Sequence, residues 1–278
     1  MAFSGEIINS RQNKNVVRLM KLSDKKARQS ERVFRFDGVK LLCEALEKGL
    51  TLDTVFVRAS SSDRLCESME RLYGFTSDDI KCRVLLVGDE LFDKISEENS
   101  PEGVITVAEY IDKFHKSYII KEGNIPTDTD GGILLLESVR DPQNVGAIIR
   151  SAKALGIGAV AMSDDCADIY NPRTVRASMG TLFSMPIVRV DDLSGYVTLL
   201  RRSGRRVYAA ALDDTAVELG SFCMEKRTCV VVGNEGHGLS SELMDACDGR
   251  LYIPMSRGAE SLNAAVAASL IMWEMRRS

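Results

Sequence analysis

The chain alternates short, uninterrupted apolar runs with stretches in which apolar residues recur every three or four positions. Beyond residue 131 the runs at 133–136, 159–162, 187–190, 207–210, 229–232 and 251–253 read as strands, and the segments between them read as helices. Such β/α alternation predicts a mostly parallel sheet covered on both faces. The last segment, 262–276, is apolar almost all round in its first part, as expected of a helix packed deeply or against a second subunit. Upstream, 15–26 and 37–47 have helical spacing, while 54–57 and 84–87 read as strands, giving a smaller α/β unit. The polar, glycine-containing stretch 121–132 separates the two patterns. The expected organisation is a first domain over 1–120, a linker over 121–132 and a second domain over 133–278.

A length of 278 residues suits two modest domains. Hydrophobic residues at 45% and charged residues at 27% argue against a disordered chain. No apolar run approaches the roughly 18 residues of a membrane span, so a cytoplasmic protein is expected. The seven cysteines are scattered without a CxxC pair, which fits buried free thiols and neither a disulfide framework nor a zinc site. His115 and His237 are the only histidines and neither has a second at ligand spacing, so no metal is expected. The net charge of −4 argues against a chain that coats itself with nucleic acid. Residues 1–40 nevertheless hold ten bases (Arg11, Lys14, Arg18, Lys21, Lys25, Lys26, Arg28, Arg32, Arg35 and Lys40) against four acids. That end reads either as a phosphate-binding surface or as a solvated basic helix.

Ligands of open parallel sheets bind at the carboxyl ends of strands, which singles out three loops. The first is ESVRDPQNVGAIIR at 137–150, where Asn144 is expected to cap a helix that brings Arg150 to the loop's end. A helix start with a guanidinium nearby holds an anion, although a helical arginine taken alone is more often a surface residue. The second is VVGNEGHGL at 231–239, a glycine-rich turn after the most apolar run. Its GxxGxG pattern is neither the dinucleotide fingerprint nor a phosphate loop. Glu235 on this turn either faces a ligand or is simply solvated. The third runs from Ile253-Pro254-Met255 to SLNAAVAAS at 261–269, with Ser261 expected as the helix N-cap and Asn263 in the first turn. Plain capping without catalysis is the better explanation of that segment when it is taken alone.

In order, these three loops resemble the signature motifs of the SpoU (TrmH) family of RNA 2′-O-ribose methyltransferases in the SPOUT superfamily. The likeness covers residues 131–278 and includes CADIYNPRTVRASMG at 166–180. It implies an α/β fold whose C-terminal parallel-sheet domain is threaded into a deep trefoil knot, a topology that ordinary connectivity rules exclude. It further implies S-adenosyl-L-methionine as cofactor, held near Gly233, Gly238, Ile253, Met255 and Leu262, with a homodimer completing the site. By the same resemblance Arg150 is the catalytic arginine, and Asn144, Glu235, Ser261 and Asn263 occupy the other motif positions. The first domain resembles the ribosomal-protein-like RNA-binding domain that often precedes this one, through VFRFDGVKLLCEAL at 33–46 and SPEGVITV at 100–107, with Asp37-Gly38 where the family usually has Glu-Gly. The partner implied is RNA, ribosomal first and tRNA second.

Two other readings stay open at this level. One is an RNA-binding or ribosome-assembly factor that keeps the fold without catalysis, against which Asn144, Arg150, Glu235 and Asn263 stand. The other is a SPOUT enzyme that methylates a base nitrogen, against which stands the Asn-x5-Arg spacing of the first motif.

Overall fold

The computed structural model describes residues 3, 5–111, 117–118, 131–234, 236–256 and 261–277. They form two compact units, one from Met1–Ile111 with Tyr170–Phe183, the other from Asp112–Ile169 with Ser184–Ser278. The expected linker lies outside the described residues up to residue 130, and so do His115 and Glu235.

The first unit is a five-stranded mixed sheet in the order β1 (Ile7–Ile8), β4 (Arg83–Val87), β3 (Leu52–Arg58), β5 (Val104–Glu109), β2 (Val33–Asp37). Alternation along β3 assigns its two faces. Val55 and Val57 pack with Leu42 of α3 (Val39–Glu47) and with Leu65 and Met69 of α4 (Ser62–Tyr73). Phe56 packs oppositely with Val16 and Leu19 of α1 (Lys14–Lys21) and Phe92 of α5 (Asp89–Ile95). The single helix expected at 15–26 is two. Leu22 turns inward, and Asp24 starts α2 (Lys25–Glu31) by accepting from Lys26 N at 2.7 Å and Ala27 N at 3.3 Å. The helix expected from residue 37 begins at Val39, because Asp37 still belongs to β2. The pattern did not predict β2, in which a charged residue interrupts the apolar run. Arg35 is 1% exposed there, bound to Asp37 Oδ1 at 3.0 Å and to the Ile95 carbonyl at 2.9 Å.

The basic run is thereby partly accounted for. Arg28 and Arg35 are buried, and Arg18 is paired with Glu31 and Asp53 at 2.5 and 2.6 Å, so these three bases hold the fold together.

The second unit is an eight-stranded sheet whose described pairings are all parallel. Its order is β11 (Val217–Glu218), β13 (Gly249–Tyr252), β10 (Val207–Ala210), β12 (Cys229–Val232), β7 (Ile133–Leu136), β8 (Ala159–Ser163), β9 (Ile187–Val190), β6 (Ser117–Tyr118). Burial on both faces is why β7 reads as four consecutive apolar residues, each fully inaccessible. Ile133 and Leu135 face α8 (Leu193–Arg202) and α9 (Ser241–Ala246) through Tyr196, Leu200 and Leu243. The other face carries α6 (Pro142–Ala154) and α10 (Ala264–Arg277), which also pack on each other. The six strands expected here all form. α10 is not buried all round: Val266, Leu270 and Trp273, four and three residues apart, are 49%, 43% and 56% exposed.

Between β8 and β9 the chain supplies α7 (Pro172–Ser178), which belongs to the first unit and packs on β2. Tyr170 stacks on Tyr110 with centroids 3.8 Å apart, and its hydroxyl accepts from Ile111 N at 2.7 Å. Phe183 lies 5.3 Å from Phe36.

Candidate active site

The loops after β7, β12 and β13 meet at the carboxyl ends of these strands, with β7, β12, β10 and β13 side by side. The glycine turn after β12 closes on itself, Asn234 and Gly238 each donating a backbone N–H to the other's carbonyl at 3.2 and 2.9 Å. Gly233 has to be glycine: a Cβ there would stand 2.4 Å from the Gly238 oxygen. Gly238 adopts φ +67, a left-handed conformation that suits glycine.

Asn234 fastens this turn. Its Oδ1 accepts from Gly236 N at 2.7 Å and His237 N at 3.3 Å, and its Nδ2 donates to the Ser138 carbonyl in the loop after β7 at 2.8 Å. Ser138 is itself held at φ +55. Its N–H donates to Ser163 Oγ at 2.9 Å, and its hydroxyl donates to Asp165 at 2.6 Å. Burial alone would raise the Asp165 pKa, but hydrogen bonds from Ser138, Ser163 and Arg140 outweigh it and hold the carboxyl below its usual range. Beside this tie, Glu137 accepts from Ser240 N at 2.8 Å and Ser240 Oγ at 2.6 Å, joining the end of β7 to the cap of α9. Asn234, Glu137 and Ser138 were not singled out from the sequence. The Asn-x-Gly spacing inside a glycine turn is the signal for Asn234. Nothing local marks the other two.

Next to the turn lies a cavity of about 410 Å³. The five residues expected to hold the cofactor, Gly233, Gly238, Ile253, Met255 and Leu262, line it, and so does Ser261 of the third motif. Among the described residues the lining contains no lysine, arginine, aspartate or glutamate.

Two caps differ from expectation. Asp141, not Asn144, caps α6, accepting from Gln143 N at 2.7 Å with Pro142 as first helical residue. Asn263, not Ser261, caps α10, its Oδ1 accepting from Ala265 N at 3.0 Å and Val266 N at 3.3 Å. Asn263 Nδ2 donates to Asn144 Oδ1 at 2.9 Å, so the first and third motifs are joined. Arg150 stays apart. It is exposed, does not line the cavity, and sits about 9 Å farther along α6 than Asn144 at the usual helical rise.

Residues 132–273 match the family model for the SpoU rRNA Methylase family. The chain belongs to that family. Residues 13–106 match the MRM3-like substrate binding domain that accompanies SpoU domains in this chain. Among family members, the Bacillus subtilis 23S rRNA (guanosine(2553)-2′-O)-methyltransferase RlmP is 31% identical over 97% of this chain and 98% of its own. A Streptomyces viridochromogenes 23S rRNA (uridine(2479)-2′-O)-methyltransferase is 32% identical over 71% of this chain and 68% of that protein. The AdoMet-bound rRNA methyltransferase from Sinorhizobium meliloti superimposes with a TM-score of 0.80 at 26% identity, covering 98% of this chain and 97% of that one. The SpoU methyltransferase AviRb from Streptomyces viridochromogenes, in complex with AdoMet, gives a TM-score of 0.79 at 27% identity, covering 96% and 98%.

Proposed function

We infer that this chain is an S-adenosylmethionine-dependent methyltransferase that acts on a ribose 2′-hydroxyl of ribosomal RNA. The observation that carries the reading is the convergence of the glycine turn, the Ile253–Met255 segment and Ser261–Leu262 on one cavity. Its volume of about 410 Å³ lies within the usual small-molecule range. Apolar walls from Leu239, Leu251, Ile253 and Leu262 suit a flat base. Gly233, Gly238, Ile253, Met255 and Leu262 would hold the donor, which supplies an electrophilic methyl group when bound.

The chain's own residues then have to orient the ribose and manage its hydroxyl proton. Arg150 is the residue proposed to engage the RNA phosphate and the 2′-hydroxyl, stabilising charge as the proton leaves. A guanidinium keeps its proton far above neutral pH, which favours this role over that of a base. Asn144 and Glu235 are proposed to orient Arg150 and the acceptor ribose, with Ser261 and Asn263 at the third motif. Because Arg150 does not reach the cavity of its own chain, a homodimer is proposed to bring it to a second copy's cavity. The exposed Val266, Leu270 and Trp273 face of α10 supports that assembly. The C-terminal segment is proposed to be knotted. Insertion of β13, the last strand, between β10 and β11 supports this. The domain over 1–120, joined through 121–132 to that over 133–278, is proposed to dock RNA by shape and phosphate contacts, in the cytoplasm where ribosomes are made.

Incubation with tritiated S-adenosylmethionine and 23S ribosomal RNA lacking its modifications, followed by digestion to nucleosides, tests this. Label in a 2′-O-methyl nucleoside is expected. Label in a methylated base, in tRNA alone, or in no nucleoside would overturn the assignment.

A further inference from the structure

One side chain at the cavity is conspicuously bare. Leu212 lines it yet is 74% exposed, the most exposed large apolar residue among those described. A single exposed leucine is ordinary in itself. What sets this one apart is the polar fastening around it.

Residues 212–216 leave and rejoin the same neighbouring strand. Before them, Ala211 N donates to the Leu251 carbonyl at 3.0 Å; after them, Val217 pairs with Leu251 in the β11–β13 ladder. The short excursion is tightened by Asp213, whose Oδ1 accepts from Thr215 N and Thr215 Oγ1, each at 2.7 Å. Its backbone carbonyl accepts from Ala216 N at 3.1 Å. The other carboxylate oxygen is paired with Arg250 of β13, whose second amino group reaches Asp245 of α9 at 3.1 Å. Arg250 precedes Leu251, a fully buried cavity residue, so guanidinium and cavity wall alternate on one strand. Leu212 is thus tied to the strand that forms the wall.

We propose that Arg250 is a positioning residue for the methyl donor, strapping Asp213 so that Leu212 stays at the cavity rim and gives its apolar surface to the bound donor. This rests on the reading of the cavity as the S-adenosylmethionine site. Arg250 touches no reactant and acts only through the loop.

Calorimetric titration of S-adenosylmethionine and S-adenosylhomocysteine into the full chain tests it, with L212A, R250Q, R250K and D213N beside the parent. L212A and R250Q should each weaken both ligands about tenfold, the weight of burying much of a leucine side chain. R250K, which keeps a cation, should recover most of that affinity. D213N retains an acceptor for Thr215 but loses its charge, and should behave as R250Q does, giving a second way to open the strap should R250Q fold poorly. In transfer assays the loss should fall on KM for the donor and not on kcat, and R250Q should add little on an L212A background. The donor-free melting temperature of L212A should match the parent's, since its side chain is exposed. Parent-like affinity in L212A, or losses that add fully in the double variant, would overturn the strap while leaving the donor site intact. A parent chain that takes up neither ligand would overturn the donor site and the strap together.

Discussion

Asn263 donates from Nδ2 to Asn144 Oδ1 at 2.9 Å across 119 residues of chain, while its Oδ1 caps α10. One amide therefore performs two separable tasks. N263D keeps an excellent cap acceptor but has no donor for Asn144. It should unfold within about 0.5 kcal/mol of the parent, while N263A loses about 1 kcal/mol. Methyl transfer should fall about tenfold or more in both. Parent-like transfer by N263D, with melting curves as the control, would show that only the cap matters.

The Arg150 side chain is exposed and has no hydrogen-bond or ion-pair partner among the described residues, so its removal should leave the fold intact. R150A is expected to lower kcat by about a hundredfold or more. Calorimetric affinity for S-adenosylmethionine should not change. Turnover near the parent rate would remove Arg150 from the reaction.

At Gly233 a methyl group would meet the Gly238 carbonyl at 2.4 Å, and the turn would have to open. G233A should cost about 1–3 kcal/mol of stability, the usual range for overpacking, and weaken donor binding at least about tenfold. Denaturant unfolding and calorimetry check the pair. A soluble, parent-like G233A would mean that the turn tolerates a wider opening than its hydrogen bonds suggest.

The Asp165 carboxyl titrates below its usual range in the folded protein. A depressed carboxylate pKa stabilises fully above the unfolded value of about 3.9, and the stabilisation disappears as pH falls through the folded value. D165N should therefore melt below the parent at neutral pH, with a gap that is constant down to about pH 5 and closes below about pH 4. A gap that persisted into stronger acid would mean that the variant loses packing and not charge.

Trp273, at 56% exposure, stands with Val266 and Leu270 on the bare face of α10. If a second copy covers that face, W273E places an unpaired charge in the interface, at a cost of about 3 kcal/mol or more. Light scattering after size exclusion should then show dimers for the parent and monomers for W273E, and methyl transfer should disappear with the dimer. A monomeric parent would refute the shared site.

Much of the second unit was legible because its strands are buried on both faces. Ile133–Leu136 and Cys229–Val232 admit no polar residue, so period and position agree. β2 was hidden by Arg35, whose charge is paired with Asp37 of the same strand and whose guanidinium also donates to a carbonyl 60 residues away, a contact that no local window contains. Cap positions failed for a related reason. Asn144 and Ser261 are good capping types, but the caps fell to Asp141 beside Pro142 and to Asn263. The cavity residues were implied by the likeness to the family's motifs, whereas the ties through Asn234, Ser138 and Glu137 exist only once the parallel sheet has brought three distant loops together.

Tyr170 and Phe183 have their ring partners at Tyr110, Phe34 and Phe36, although the chain reaches them only by way of β8 and returns through β9. No single cut can therefore liberate a complete half of this molecule. A fragment starting near residue 131 would carry away two aromatic rings that belong in the other half's interior, and the remaining piece would be left with a hole. Any exchange of the first unit between relatives has to transplant 170–183 along with the first 111 residues, so recombination at the apparent boundary alone should yield aggregating chimaeras.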